Sequence, residues 1–276
     1  MKDMRVVTIQ DISCFGQCSL TVALPVISAC GIETVVLPTA ILSTHTTGFT
    51  GFTCRNLGED IPKIKEHWKS IPLEFDAVYT GYLGSKQEVS AVLDLMDAFP
   101  CLRIVDPAMA DNGVLYPAFD EAYVSEMKKL CGSADILLPN ITEASMLTGM
   151  PYKTVYDEKY IKDLLKALHA LGAKTVILTG VSYREKRTGV AVYENEVYSY
   201  YEHRRIDRNC HGTGDVYASS FVGSLMNGKD AFTSAKIAAE FTMACIDNTL
   251  GDEKHWYGVK FETMLPKLIR AVRGRI

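Results

Sequence analysis

The run Cys210-His211-Gly212-Thr213-Gly214-Asp215 stands directly before an unbroken helical pattern, VYASSFVGSLMNG. Glycines at 212 and 214 let the backbone N–H groups of Gly212, Thr213 and Gly214 turn toward one point at the positive end of a helix, a place suited to a phosphate. Phosphoryl transfer asks the protein chiefly for positioning and charge stabilisation, and Asp215 beside such a nest can take the proton of an attacking hydroxyl. The plainer reading is a glycine turn in which Asp215 caps the helix, and the four residues alone do not choose between the two.

Other polar residues follow apolar runs in the same way. Asp106 and Asp111 come after LRIV, where two carboxylates near phosphates would need a cation between them; Asp-Pro is also an ordinary turn start. Asn140-Ile141-Thr142-Glu143 has the spacing of a helix capping box. Tyr82 follows FDAVYTG and could lay its ring on a heteroaromatic substrate or belong to the core. His45 and Thr46 sit in STHTTGFTG, which no apolar pattern claims, so contact with substrate is the expectation.

The elements that must position these residues alternate short apolar runs (MRVVTIQ, ETVVLP, FDAVYTG, LRIVD, ADILLP, TVILTG) with longer helical patterns. This rhythm predicts an α/β fold with a central, mostly parallel sheet covered by helices on both faces. Two strand-like runs follow at GVAVYE and EVYSYY, then helices near 214–227, 230–247 and 259–273. No linker or repeat divides the chain, so residues 1–276 are expected to form a single domain. In open parallel sheets the ligand crevice lies beyond the carboxyl ends of the strands, where all the residues above fall.

Of the 276 residues, 47% are hydrophobic and 22% charged, with a formal net charge of -4 and no basic block. A nucleic-acid partner is therefore not expected. The apolar run at the start is too short for a signal-peptide core or a membrane span, which predicts a soluble cytoplasmic protein without a membrane partner. The eight cysteines form no C-x-x-C pair and read as reduced thiols; Cys14 and Cys210 adjoin motifs but are read as packing residues. Gly223 to Lys229 has Walker A spacing, yet Asp230 stands where Ser or Thr is required and the segment ends a helix. Gly212-x-Gly214 lacks the third glycine of a dinucleotide fingerprint, since position 217 is Tyr.

Six ordered blocks resemble the vitamin B6 kinase branch of the ribokinase superfamily: Ile9-Gln10 with Phe15-Gly16, Ser43 to Thr46, Thr80 to Ser85, Asp106-Pro107 with Asp111 to Gly113, Pro139-Asn140 with Glu143, and Gly212 to Asp215. The resemblance implies a ribokinase-like fold and transfer of the ATP γ-phosphoryl group to the 5′-hydroxymethyl group of pyridoxal, pyridoxamine or pyridoxine, in salvage of pyridoxal 5′-phosphate. It further implies Mg²⁺, often K⁺ or another monovalent cation, and a homodimer. On the family pattern Asp215 is the base; Asp106, Asp111, Asn140, Thr179, Gly180 and Gly212 serve ATP; and Glu143 and Asp106 serve the metal. The best-known members carry Ser after Ile-Gln, whereas this chain has Asp11, followed by Ser13. An ionised Asp only accepts hydrogen bonds and favours a nearby positive charge, so Asp11 is expected to face the ring and favour amine-bearing acceptors, unless it merely caps the next helical turn. Two rivals remain open: a hydroxymethylpyrimidine kinase, a sister group typically with Cys in place of Asp215, and a nucleotide-binding regulator without turnover.

Overall fold

The computed structural model describes residues 4–208 and 210–274. Its strands are β1 (Arg5–Ser13), β2 (Glu33–Leu42), β3 (Cys54–Asn56), β4 (Ala77–Thr80), β5 (Leu102–Val105), β6 (Ala110–Asp111), β7 (Val114–Leu115), β8 (Ile136–Leu137), β9 (Thr175–Val181), β10 (Arg187–Glu194) and β11 (Val197–Arg204). Its helices are α1 (Leu20–Ala29), α2 (Ile61–Lys69), α3 (Lys86–Ala98), α4 (Glu121–Gly132), α5 (Ile141–Thr148), α6 (Glu158–Ala170), α7 (Thr213–Leu225), α8 (Ala231–Thr249) and α9 (Leu265–Arg273).

Nine strands form one sheet in the order β11-β10-β9-β8-β5-β4-β1-β2-β3, and β6 and β7 pair separately. The six strands from β9 through β2 run parallel, while β10, β11 and β3 add antiparallel edges. Alternation along the buried strands divides the apolar residues between two cores. Val7, Ile9, Val78, Val105, Val176 and Leu178 pack with α2 to α6. Val6, Ala77, Tyr79, Ile104 and Ile177 face α1 and α7 to α9. Both faces are thus dry, which is why these strands read as continuous apolar runs.

Local chemistry sets the helix boundaries. Asp157 accepts from Tyr160 N to start α6, and the buried Tyr160, Ile161, Leu164, Leu165 and Leu168 form one stripe. The last helix starts at Leu265, later than the apolar pattern from 259 suggests; Pro266 sits in its first turn, where its missing N–H costs nothing, and a short 3₁₀ turn precedes it. β2 leaves β1 on one side, and the chain returns to place β4 on the other. The strand order reverses at β1, so the crevice expected at such a switch opens beyond the carboxyl ends of β1 and β4. Among the described residues no helix is long and apolar enough to cross a membrane.

Candidate active site

Gly212 is the N-cap of α7 at φ 71°, and a Cβ there would lie 1.8 Å from the Gln17 carbonyl oxygen. Only glycine allows both that conformation and that approach. The helix starts without a side-chain cap, and a Cβ on Gly214 would meet open space. The first N–H groups of a helix have no intrahelical acceptors, so this end of α7 can receive an anion. The capping role considered for Asp215 is not found. Its carboxyl is pushed up to about 7, first by burial, with a backbone hydrogen bond from Ser19 opposing and the charge of Asp11 adding to the rise. A carboxyl poised near neutrality is suited to general base work.

Asp11, near the end of β1, is 5% exposed and accepts hydrogen bonds from Ser13 Oγ at 3.0 Å and Ser19 Oγ at 2.6 Å. It does not cap α1, whose N-cap is Ser19. The charge of Asp11 bears on Asp215, Cys18, Cys54, Tyr82 and Glu88, and that of Glu88 on Tyr82 and Cys54; Asp215 bears on Cys18 and, outside this corner, on Asp106, Tyr79 and Tyr116, while His45 opposes the rise at Asp11. Glu88, which sequence reasoning passed over as part of a helical run, is 1% exposed and accepts from Gly84 N at 2.7 Å and Asn56 Nδ2 at 2.5 Å.

The loop residues divide. His45 is 5% exposed, its Nε2 lies 3.0 Å from the Tyr257 carbonyl, and its ring packs against Phe49 and His211. Donation to that carbonyl makes Nε2 the protonated nitrogen and leaves Nδ1, buried and without a partner among the described residues, as an acceptor. Burial lowers its pKa, with the Tyr257 carbonyl and the charge of Asp11 opposing. Thr46 is exposed beside it. Tyr82 is half-buried with its ring 5.5 Å from that of Phe119.

The residues assigned to the metal from the sequence meet below. Glu143 and Asn140 form a complete capping box on α5, with Asn140 N to Glu143 Oε2 and Glu143 N to Asn140 Oδ1 both 2.9 Å. Glu143 Oε1 also accepts from Met109 N at 3.1 Å, and Asn140 Nδ2 donates to Ala110 O at 2.8 Å, so the pair fixes the 106–111 loop. Burial, then the charge of Glu143, raises the pKa of Asp106 well above the carboxylate range. Asp111 is exposed, with its carboxylate accepting from Asn112 N at 2.8 Å. Among the described residues no group of three or more His, Cys, Asp or Glu could hold a metal.

A cleft of about 550 Å³ runs from this loop to the β11 edge, and Asp111, Asn140, Thr179 and Gly180, four of the residues assigned to ATP from the sequence, line it together. Asp106 and Gly212 are not part of its lining. It also takes in Lys153, His203, Arg204, Arg205, Tyr217 and Thr242, which sequence reasoning missed. The His-Arg-Arg cluster right after EVYSYY was the available signal. The hydroxyls of Tyr217 and Thr242 are buried without a partner among the described residues.

Residues 20–259 match the model of the family described as phosphomethylpyrimidine kinase. The chain belongs to the phosphomethylpyrimidine kinase family. This family of kinases has the ribokinase-like α/β fold, and the expectation drawn from the B6 kinase branch of the superfamily holds at that level. A Bacteroides thetaiotaomicron protein with a phosphomethylpyrimidine kinase assignment, solved with pyridoxal, is 35% identical with a TM-score of 0.92, covering 97% of this chain and 96% of that one. The pyridoxal kinase of Lactobacillus plantarum is 31% identical with a TM-score of 0.90, covering 96% of each. The chloroplastic thiamine biosynthetic bifunctional enzyme TH1 of Arabidopsis thaliana is 32% identical over 69% of this chain, a match that spans 36% of that longer protein. Relatives of the family member described here thus fall on both the B6 and the thiamine side.

Proposed function

We propose that this kinase transfers the γ-phosphoryl group of ATP to the 5′-hydroxymethyl group of a vitamin B6 vitamer. The observation that carries the reading is the acceptor corner: Asp215 at the open end of α7, with the buried Asp11 bearing on it and on the buried Glu88. Such a corner suits a neutral or cationic alcohol. An acceptor that already bears a phosphate, as the family's name describes, would bring a dianion among carboxylates, and like charges 4 Å apart repel by about 4 kcal/mol at an effective dielectric of 20. The relatives holding or acting on pyridoxal favour a pyridine over a pyrimidine.

In this reading the nucleotide occupies the 550 Å³ cleft with its phosphates toward the start of α7. Asp215 removes the hydroxyl proton as the oxygen attacks, and the free N–H groups of the helix end face the charge on the transferring phosphoryl group. Asp106 and Glu143, two desolvated carboxyls of which the second acts on the first, fit a cation. Mg²⁺ is held by one or two carboxylates plus phosphate oxygens and water, so a larger protein cage is not needed. Asp106 would hold the ion with Glu143 behind it, and the bound ion would supply positive charge to the phosphates. The family resemblance adds a monovalent cation, a homodimer and a cytoplasmic setting to the proposal. The test is ATP consumption with pyridoxal, pyridoxamine, pyridoxine and hydroxymethyl-aminopyrimidine, with and without K⁺. Preference for a B6 vitamer by about tenfold or more in kcat/KM supports the reading, preference for the pyrimidine replaces it with the thiamine-side activity, and turnover of none favours a regulator.

A further inference from the structure

Ser19 is built unlike an ordinary helix cap. It precedes α1 at φ 53° and ψ −130°, a conformation that favours glycine, yet the residue carries a side chain and is 6% exposed. An N-cap serine normally accepts a hydrogen bond from the first turn through its hydroxyl oxygen. Here the helix starts without such a bond, and the hydroxyl donates to Asp11 Oδ1 at 2.6 Å. Its carbonyl still starts the helix, accepting from Val22 N at 3.0 Å and Ala23 N at 2.9 Å. An isolated bridge to Ile12 ties the residue back to β1, beside Asp11. One strained residue therefore holds the Asp11 carboxylate from outside its strand, and strain of this kind persists where the surroundings enforce it.

We infer that Ser19 is a positioning residue for phosphoryl transfer: its hydroxyl fixes Asp11 as a hydrogen-bond acceptor for the incoming alcohol. With Ser13 donating the second hydroxyl, Asp11 has both oxygens engaged by donors of the protein and can present only remaining lone pairs to the site. A donor on the acceptor's ring, above all a protonated amine, answers that arrangement. The inference rests on the proposed acceptor site around Asp11 and Asp215.

Ser19→Gly separates positioning from structure, because glycine keeps the backbone N–H and carbonyl, relieves the positive φ and removes only the small hydroxymethyl side chain. The expected result is an unchanged or raised Tm together with a fall of about tenfold in kcat/KM for pyridoxamine, carried mainly by KM, with KM for ATP unchanged. In an Asp11→Ala background the same substitution should cost less than about twofold, since the acceptor of its hydroxyl is already gone. A merely structural serine would change Tm and activity together and would leave the acceptor and ATP KM values moving alike. The inference is overturned if Ser19→Gly keeps kcat/KM for every acceptor within about twofold, or if its penalty persists in full in the Asp11→Ala background. Asp215→Asn, measured alongside, keeps the two questions apart: near-normal turnover in that variant sinks the base assignment, whereas the Ser19–Asp11 cycle reads acceptor affinity and stands or falls separately.

Discussion

Replacing Asp215 with asparagine should slow the enzyme and stabilise the fold at once, with opposite dependences on what the carboxylate does. Loss of general base help lowers kcat by about two orders of magnitude or more, with nucleotide binding kept. The stability side follows from the raised pKa. Moving a carboxyl from 3.8 in the unfolded chain to about 7 in the fold corresponds to roughly 4 kcal/mol at 1.36 kcal/mol per pH unit. Because the folded pKa is raised, the native state binds the proton more tightly, so this group weakens the fold progressively as pH rises from about 4 to 7 and by a constant amount above. The asparagine side chain carries no charge and escapes that penalty. Asp215 is half-buried, and solvent at the mouth of the site screens the full figure, leaving about 1–2 kcal/mol expected above pH 7. Urea unfolding of the parent and Asp215→Asn at about pH 5, 6, 7 and 8 reads the difference directly. The variant should gain on the parent across that range and level off near about pH 8, while kcat/KM of the parent falls as pH drops through about 7. A stability difference independent of pH, or turnover within about threefold of the parent, would refute the reasoning.

Gly212→Ala should cost more than about 2 kcal/mol, because a Cβ would enter the Gln17 carbonyl at a positive φ; a Tm close to the parent's would contradict the close approach. Glu143→Gln should raise the Mg²⁺ concentration for half-maximal activity several-fold, since a neutral amide no longer backs the ion at Asp106. An unchanged Mg²⁺ titration with a lower Tm would leave Glu143 as the helix cap alone. Thr242→Val removes a buried hydroxyl that no described protein group satisfies, so it should leave the fold as stable or better by about 1 kcal/mol yet raise KM for ATP about fivefold if the nucleotide is its partner; an unchanged KM would deny that contact. Asp11→Ser should narrow the preference for pyridoxamine over pyridoxal, and constant ratios among acceptors would show that Asp11 does not select substrate.

The parts of this site that are local in sequence were legible there. Gly212-Thr213-Gly214-Asp215 carries its own geometry, because a positive φ before a helix is a property of a few consecutive residues. The Asn140–Glu143 capping box and Asp106 after its strand were readable for the same reason, as were the continuous apolar runs that form the buried parallel strands. What escaped depends on distant chain segments. Ser19 reads as an ordinary N-cap until β1 brings Asp11 against its hydroxyl. Glu88 belongs to a helical run until Asn56 reaches it from β3. His45 looked free in its loop because the Tyr257 carbonyl that holds Nε2 lies 212 residues away. The basic cluster at 203–205 borders the 550 Å³ cleft because the β10–β11 hairpin extends the sheet, which apolar periodicity does not reveal.

The central claim, single phosphorylation of a B6 vitamer in an acidic acceptor corner, is met most directly by a competition read by ³¹P NMR. The protein receives ATP, Mg²⁺ and equal amounts of pyridoxamine, hydroxymethyl-aminopyrimidine and the latter's monophosphate. The account predicts that a pyridoxamine 5′-phosphomonoester appears first and that no diphosphate resonance of the pyrimidine accumulates. Formation of the pyrimidine diphosphate ahead of the vitamer phosphate would contradict it.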